Sequence, residues 1–284
     1  MTEWRLANTA LVLALLAAGC SSSTESGTTG RIFTLKTQAS VDDDLTQAKT
    51  NALGFSVTLS EAYLSVGPLY YYSGDPVLSL RTSPKASKLA ALSRLSDWLV
   101  KPAQAHPGHY TAGAAMGEML TPTTLALHAG TVNLADGDGV TGNTNSAKFT
   151  WQSPAQGELA SSLRGHVILT QGIATKDGVT VKFIAKADEP DVHDGDDKAE
   201  VAGCAFGPTP GAVGVSMDGN GTVTLTLSPS VWFDEVDFSY VAPGAANAPT
   251  PDANGVVDIT GTLAWQGFLR GVKKGTAYEF SYSK

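Results

Sequence analysis

The sequence predicts an antiparallel β-sandwich with one amphipathic helical insertion. Three observations lead there. Short runs alternate apolar and polar residues and are rich in Thr, Val, Phe, Tyr and Trp, as half-buried strands require. Turn-forming residues recur about every ten positions, the spacing of all-β sandwiches and barrels. A single stretch, 88–100, repeats its leucines at helical rather than strand spacing.

Taken in order, Ile32, Phe33 and Leu35 open the first strand. Phe55–Leu59 alternates with period two, and an apolar, tyrosine-rich run, Ala62–Tyr72, follows. Between Lys88 and Val100, Leu89, Leu92, Leu95, Trp98 and Leu99 fall at steps of three and four. That is one face of a three-turn helix, with Pro84 upstream and Pro102 ending it. It is expected to lie across the sandwich as an insertion. Ala147–Trp151 alternates again, and His166–Thr175 and Val179–Lys186 flank Lys176-Asp177-Gly178, a hairpin turn. Val223–Leu227 is a further strand, and Val256–Tyr282 is expected to supply two or three more. Asp188–Glu200, with seven acidic residues, and Ala242–Pro251, rich in Ala and Pro, read as loops. Neither an internal repeat nor an interdomain linker is evident, so residues 31–284 read as one domain.

The chain has 284 residues and a formal net charge of −8. This acidic balance argues against nucleic acid as a partner, because phosphates demand a basic surface. With 42% apolar and 16% charged residues, the composition is not that of a disordered chain. Two cysteines cannot build a disulfide scaffold, and no CxxC pair suggests a zinc ribbon.

Leu11–Ala18 is a continuous apolar run ending at Gly19-Cys20. It is too short to cross about 30 Å of hydrocarbon and fits the core of a secretory signal. Ala17-Ala18-Gly19-Cys20 resembles the bacterial lipobox. That resemblance implies a signal peptide over 1–19 and a lipid thioether on Cys20, with export to the periplasmic side of a bacterial envelope. Ser21 implies sorting to the outer membrane, and the Ser-, Thr- and Gly-rich residues up to 30 form a flexible tether. The membrane, held through this lipid, is then the first expected partner. An ordinary signal peptide with an incidental cysteine is the alternative.

The sharpest local motif is His106-Pro107-Gly108-His109. Pro-Gly suits the centre of a type II turn, which brings the flanking residues within about 7 Å. Two imidazoles could thus meet one ion, with His128 and Met116 as supporting ligands and Glu118 nearby. Imidazole with thioether favours copper, and imidazole with carboxylate favours zinc. The plain reading is a polar surface turn. Cys204, with Cys20 taken by lipid, has no partner in the chain and reads first as a small buried hydrophobe. The acidic loop around His193 lacks the ordered spacing of a calcium hand. Gly137-Asp138-Gly139-Val140-Thr141-Gly142 matches GxGxxG formally but opens no helix of a βαβ unit, so it reads as a loop. His166 reads as a strand-end residue, and Trp98, Trp151, Trp232 and Trp265 read as packing residues. The segment Phe149–Ala187 resembles methanobactin-associated periplasmic copper proteins, with Trp151 and His166 as the nearest matches. In that family an oxidised Trp and histidines bind copper.

No P-loop, HExxH or nucleophile elbow is present, and Gly214-Val215-Ser216-Met217 is followed by Asp218. The chain is therefore read as non-catalytic. The leading expectation is an outer-membrane-anchored lipoprotein binding copper or zinc through His106 and His109. The second is an interaction or scaffolding lipoprotein that contacts an envelope protein through Tyr70-Tyr71-Tyr72.

Overall fold

A computed structural model of the chain describes residues 30–42, 44–77, 110–127, 130–193 and 198–284. In chain order its elements are β1 (Ile32–Val41), β2 (Lys49–Thr50), β3 (Ser56–Val66), β4 (Leu69–Tyr72), β5 (Ala115–Met119), β6 (Thr123–Ala126), β7 (Gly130–Asn133), β8 (Gly137–Val140), β9 (Gly142–Thr144), β10 (Ser146–Thr150), β11 (Ile168–Lys176), β12 (Val179–Ala187), β13 (Glu200–Gly207), β14 (Val215–Met217), β15 (Thr222–Leu227), β16 (Val256–Asp258), α1 (Leu263–Val272) and β17 (Tyr278–Ser283). The mainly β class is as expected. The expected helix over 88–100 lies outside the described residues.

The expected sandwich is replaced by a closed barrel beside a smaller sheet. Strands run β15-β17-β13-β10-β4-β5-β8-β1, and β1 then pairs with β15 to shut an eight-strand ring. β1 makes this possible by dividing one edge between two partners. Its first half pairs with β8 and its second half with β7, while its other edge takes β15. Alternation within a strand is the same in a sandwich and a barrel, so the pattern alone does not reveal closure. Nor is the pairing wholly antiparallel: β1–β15, β12–β16 and β13–β17 are parallel. At eight strands the interior is just wide enough for side chains to fill. Leu35, Tyr71, Phe149, Phe206, Leu225 and Phe280 do so, all fully buried. The Tyr71 ring lies 5.3 Å from Phe206 and 6.0 Å from Phe280.

The second sheet runs β16-β12-β11-β3-β2, with β6 also on β3. The chain passes from this sheet into the barrel between β3 and β4, at Gly67. A Cβ there would lie 2.5 Å from the Thr150 hydroxyl, so only glycine permits the crossing. β11 and β12 form the expected hairpin, with Asp177 (φ 51) and Gly178 (φ 79) as its two left-handed turn residues.

The 256–282 region holds two strands, but α1 stands between them where strands alone were expected. Thr262 caps it, its hydroxyl accepting from the Trp265 amide at 3.2 Å. Ala264, Phe268, Leu269 and Val272 form its buried face. Gly267 and Gly271 let it approach the 229–236 segment backbone: a Cβ would come within 2.6 Å of Glu235 O and 2.5 Å of Trp232 O respectively. Among the described residues no helix is long and apolar enough to cross a membrane.

Asn51 ties the β2–β3 corner to the 233–236 backbone. Its Nδ2 donates to Phe233 O (3.0 Å) and Val236 O (2.8 Å), and its Oδ1 accepts from Leu53 N (3.0 Å) and Phe55 N (2.9 Å). All four hydrogen-bonding positions of this buried amide are thereby engaged.

Candidate functional site: the outer wall of the barrel

In β4, Leu69 and Tyr71 are fully buried while Tyr70 and Tyr72 are half-buried. Strand periodicity thus sends the middle tyrosine inward and its neighbours to the outer wall. The neighbouring β10 does the same: Ala147 and Phe149 are buried, and Lys148 stands outside. Register sets Lys148 opposite Tyr70. Its ammonium lies 6.0 Å from the ring centres of both Tyr70 and Tyr72, within reach of a cation–π attraction. It also pairs with Glu200 on β13 at 3.0 Å, where the two side chains are only 19% and 13% exposed. Such sheltering makes the pair costly to break, since one partner removed leaves a partly buried charge.

Tyr110 completes the group. Its ring meets Tyr72 edge-on at 6.3 Å, and its hydroxyl lies 2.8 Å from Ser146 Oγ. Ser146 donates its own proton to Gly74 O at 2.6 Å, so Tyr110 is the donor in that contact. Burial pushes the Tyr72 and Tyr110 hydroxyls above the usual phenol range, and Lys148 opposes the shift at Tyr72. Both Tyr110 and Val77 rest on Gly203. A Cβ at Gly203 would meet Val77 Cγ2 at 2.8 Å, Val77 N at 2.9 Å and the Tyr110 ring at 3.1 Å. With φ at +71, the position requires glycine on both counts.

Farther round the wall, Tyr70 faces Glu118 on β5, and Glu118 faces Asp138 on β8. Directly opposed carboxylates repel. Among the described residues neither makes an ion pair with a Lys or Arg.

The residues singled out from sequence fall as follows. Cys20, His106, His109 and His128 lie outside the described residues. Met116 is 4% exposed and belongs to the core. It sits at a β-bulge, where Tyr71 pairs with Gly117 and Tyr72 with Ala115. Cys204 is buried as its bland reading expects, its thiol donating to Val201 O at 3.3 Å. Burial pushes its pKa up to about 12, so it stays a thiol rather than a nucleophilic thiolate. Gly137–Val140 is strand β8, not the loop expected from its glycines. Gly137 and Gly139 are there because a Cβ would come within 2.3 Å of Glu118 O and 2.8 Å of Leu35, respectively. His166 Nδ1 lies 2.6 Å from Asp188, and His193 Nε2 lies 3.4 Å from Glu189. Asp188 and Asp191 form a reciprocal cap on the 189–192 turn. Trp151 packs edge-on against Phe149 and Tyr278, and Trp232 against Phe268. Among the described residues no group of three or more His, Cys, Asp or Glu is placed to hold a metal ion.

Sequence reasoning passed over Lys148, Glu200 and Tyr110. Alternation would have placed Lys148 outside, but strand order, not sequence, brings Glu200 and Tyr110 beside it. Compared with protein-family models, curated proteins and solved structures, the chain gives no significant match.

Proposed function

We propose that the chain is a non-catalytic lipoprotein of a bacterial cell envelope. Lipid on Cys20 holds it to the outer membrane facing the periplasm, and the barrel wall is its contact surface for an envelope protein. The observation that carries this reading is the half-buried set Tyr70, Tyr72 and Tyr110 around Lys148. Tyrosine supplies contact area at low entropic cost and is enriched at interfaces. Lys148 is already held by Glu200, so the wall is preorganised for docking. A photoreactive amino acid at position 70 or 72, irradiated in intact envelopes, is expected to give a discrete cross-linked adduct. Position 71, whose side chain is fully buried, should not. Equal yields from all three positions would end this reading. Labelled palmitate is expected to enter the wild type and not Cys20→Ser.

A second reading, copper or zinc binding through His106 and His109 with His128 in support, draws on one specific feature. His109 immediately precedes Tyr110, whose ring and hydroxyl are fixed on the wall, so one end of the His-Pro-Gly-His turn is joined to a firm base. Met116, being buried, would need to leave the core to take part. Calorimetric titration with each ion should show binding that His106→Ala with His109→Ala abolishes; unaltered binding would refute the assignment.

A further inference from the structure

Beside the Asn51 corner lies a cavity of about 190 Å³. Val57, Leu59 and Phe233, all buried, form its floor, and Lys49 and Asp234, both exposed, stand at its mouth. Alternation sends Val57 and Leu59 to the core side of β3. Register sets Lys49 directly opposite Val57, and directly opposed residues share a face of the sheet. Lys49 therefore rises beside the apolar floor, on the side of the sheet where its neighbours are buried. Asp234 follows Phe233 in the chain and makes no ion pair with a Lys or Arg among the described residues. The mouth thus carries one charge of each sign above a floor with none.

The walls are fixed before anything enters. Asn51 donates to Phe233 O and Val236 O, and Ala52 N donates to Asp234 O at 3.0 Å, which sets the spacing between the corner and the 233–236 segment. On the other side Leu59 N donates to Leu45 O at 2.9 Å, and Asp44 accepts from the Thr46 amide at 3.0 Å and hydroxyl at 2.6 Å. These bonds pin the turn from which Leu45 lines the cavity. A site built this firmly loses little freedom when a ligand enters. Its volume equals that of roughly six waters at about 30 Å³ each, the scale of one small metabolite and not of a peptide or a nucleotide. Asn51 has no bond left to offer, so the floor has only apolar groups to give. A sugar, with hydroxyls on every face, would bury some of them unbonded, whereas a branched aliphatic chain gains by burial there. At the mouth, Lys49 has three donors for a carboxylate, and Asp234 can accept from an ammonium in a charge-assisted bond.

We propose that this cavity binds a free aliphatic α-amino acid, with its side chain on Val57, Leu59 and Phe233, its carboxylate at Lys49 and its ammonium at Asp234. None of these residues belongs to β4, β10 or β13, so the site is independent of the tyrosine wall and its contact role.

Ligand-observed NMR titration of the full chain in non-ionic detergent tests this with leucine and three analogues that each lack one part. Leucinamide lacks the carboxylate, 4-methylpentanoate the ammonium, and glycine the side chain. Leucine is expected to bind, and each analogue to bind about tenfold or more weakly. Lys49→Met should bring leucine down to the affinity of leucinamide while keeping its preference over 4-methylpentanoate. Asp234→Asn should do the reverse. Both side chains are exposed, so near-UV circular dichroism should stay unchanged. No leucine binding up to about 10 mM would overturn the proposal. So would 4-methylpentanoate or leucinamide binding as tightly as leucine to the wild type, which would leave a site for one charge only. Glycine binding as tightly would remove the apolar floor from the account, and both variants retaining the wild-type preferences would remove the two charges.

Discussion

The sheet side and the barrel interior treat buried polar groups in opposite ways. At the β2–β3 corner, the Asn51 side chain takes part in four hydrogen bonds, all to backbone. Inside the barrel, the Tyr71 hydroxyl faces that of Thr37, yet neither makes a hydrogen bond. Tyr278 is placed likewise between the indoles of Trp151 and Trp232. The difference teaches where each region takes its order from. The corner joins irregular backbone, which needs directional bonds to fix it. The barrel is fixed by its ladder and by ring-on-ring packing such as Phe149 stacked on Tyr278 at 4.3 Å, so its hydroxyls are passengers on large apolar side chains.

Asn51→Ala attacks the first half of the comparison and should have the largest effect. It strands the amides of Leu53 and Phe55 and the carbonyl of Val236, and leaves Phe233 O with only the Val236 amide. A loss of about 3 kcal/mol is expected in chemical denaturation. A loss below about 1 kcal/mol would mean that the corner does not depend on the amide. Thr37→Val combined with Tyr71→Phe tests the other half. Both hydroxyls are buried and unbonded, so the pair should be neutral or stabilising, within about 1 kcal/mol. A loss above about 2 kcal/mol would break the comparison, because it would show the two hydroxyls to be joined.

The smallest effect concerns charge at the surface. Glu235 accepts from Lys274 (2.7 Å) and Arg270 (3.3 Å), and the Lys274 bond, followed by that from Arg270, holds its carboxyl below the usual range. A carboxyl whose folded pKa is depressed contributes stability above its unfolded value of about 4, and that contribution disappears as pH falls through the folded value. Glu235→Gln should therefore lower the melting temperature slightly at pH 7 and leave it unchanged below about pH 3. Since all three side chains are substantially exposed, salt should shrink the difference. A larger effect in acid than at neutrality would contradict this assignment of the shift.

Much of the strand inventory was legible because alternation is local. Ile32–Leu35, Phe55–Leu59, Ala147–Phe149 and Val223–Leu227 all lie in or beside strands, and Asp177-Gly178 is the turn its chemistry requires. Closure was not legible, since it depends on β1 meeting β15 across about 180 residues. α1 was missed because its aromatics and two glycines weaken helical propensity, although Thr262 and the spacing of Ala264, Phe268 and Val272 carried the signal. β8 was read as a loop because its glycines are there for contact with Leu35 and Glu118, not for a turn. On the wall, the opposite fates of Tyr71 and its neighbours follow from period two once β4 is accepted as a strand. The facing of Glu118 by Asp138 follows only from register.

The position of β17 in the ring has a consequence for the order of assembly. Although last in chain order among the elements, β17 sits between β15 and β13. A chain emerging from its start therefore holds seven of the eight staves with two raw edges exposed, each a template for pairing with a neighbour. Until Tyr278–Ser283 takes its place between β15 and β13, the cylinder stays open at those two edges.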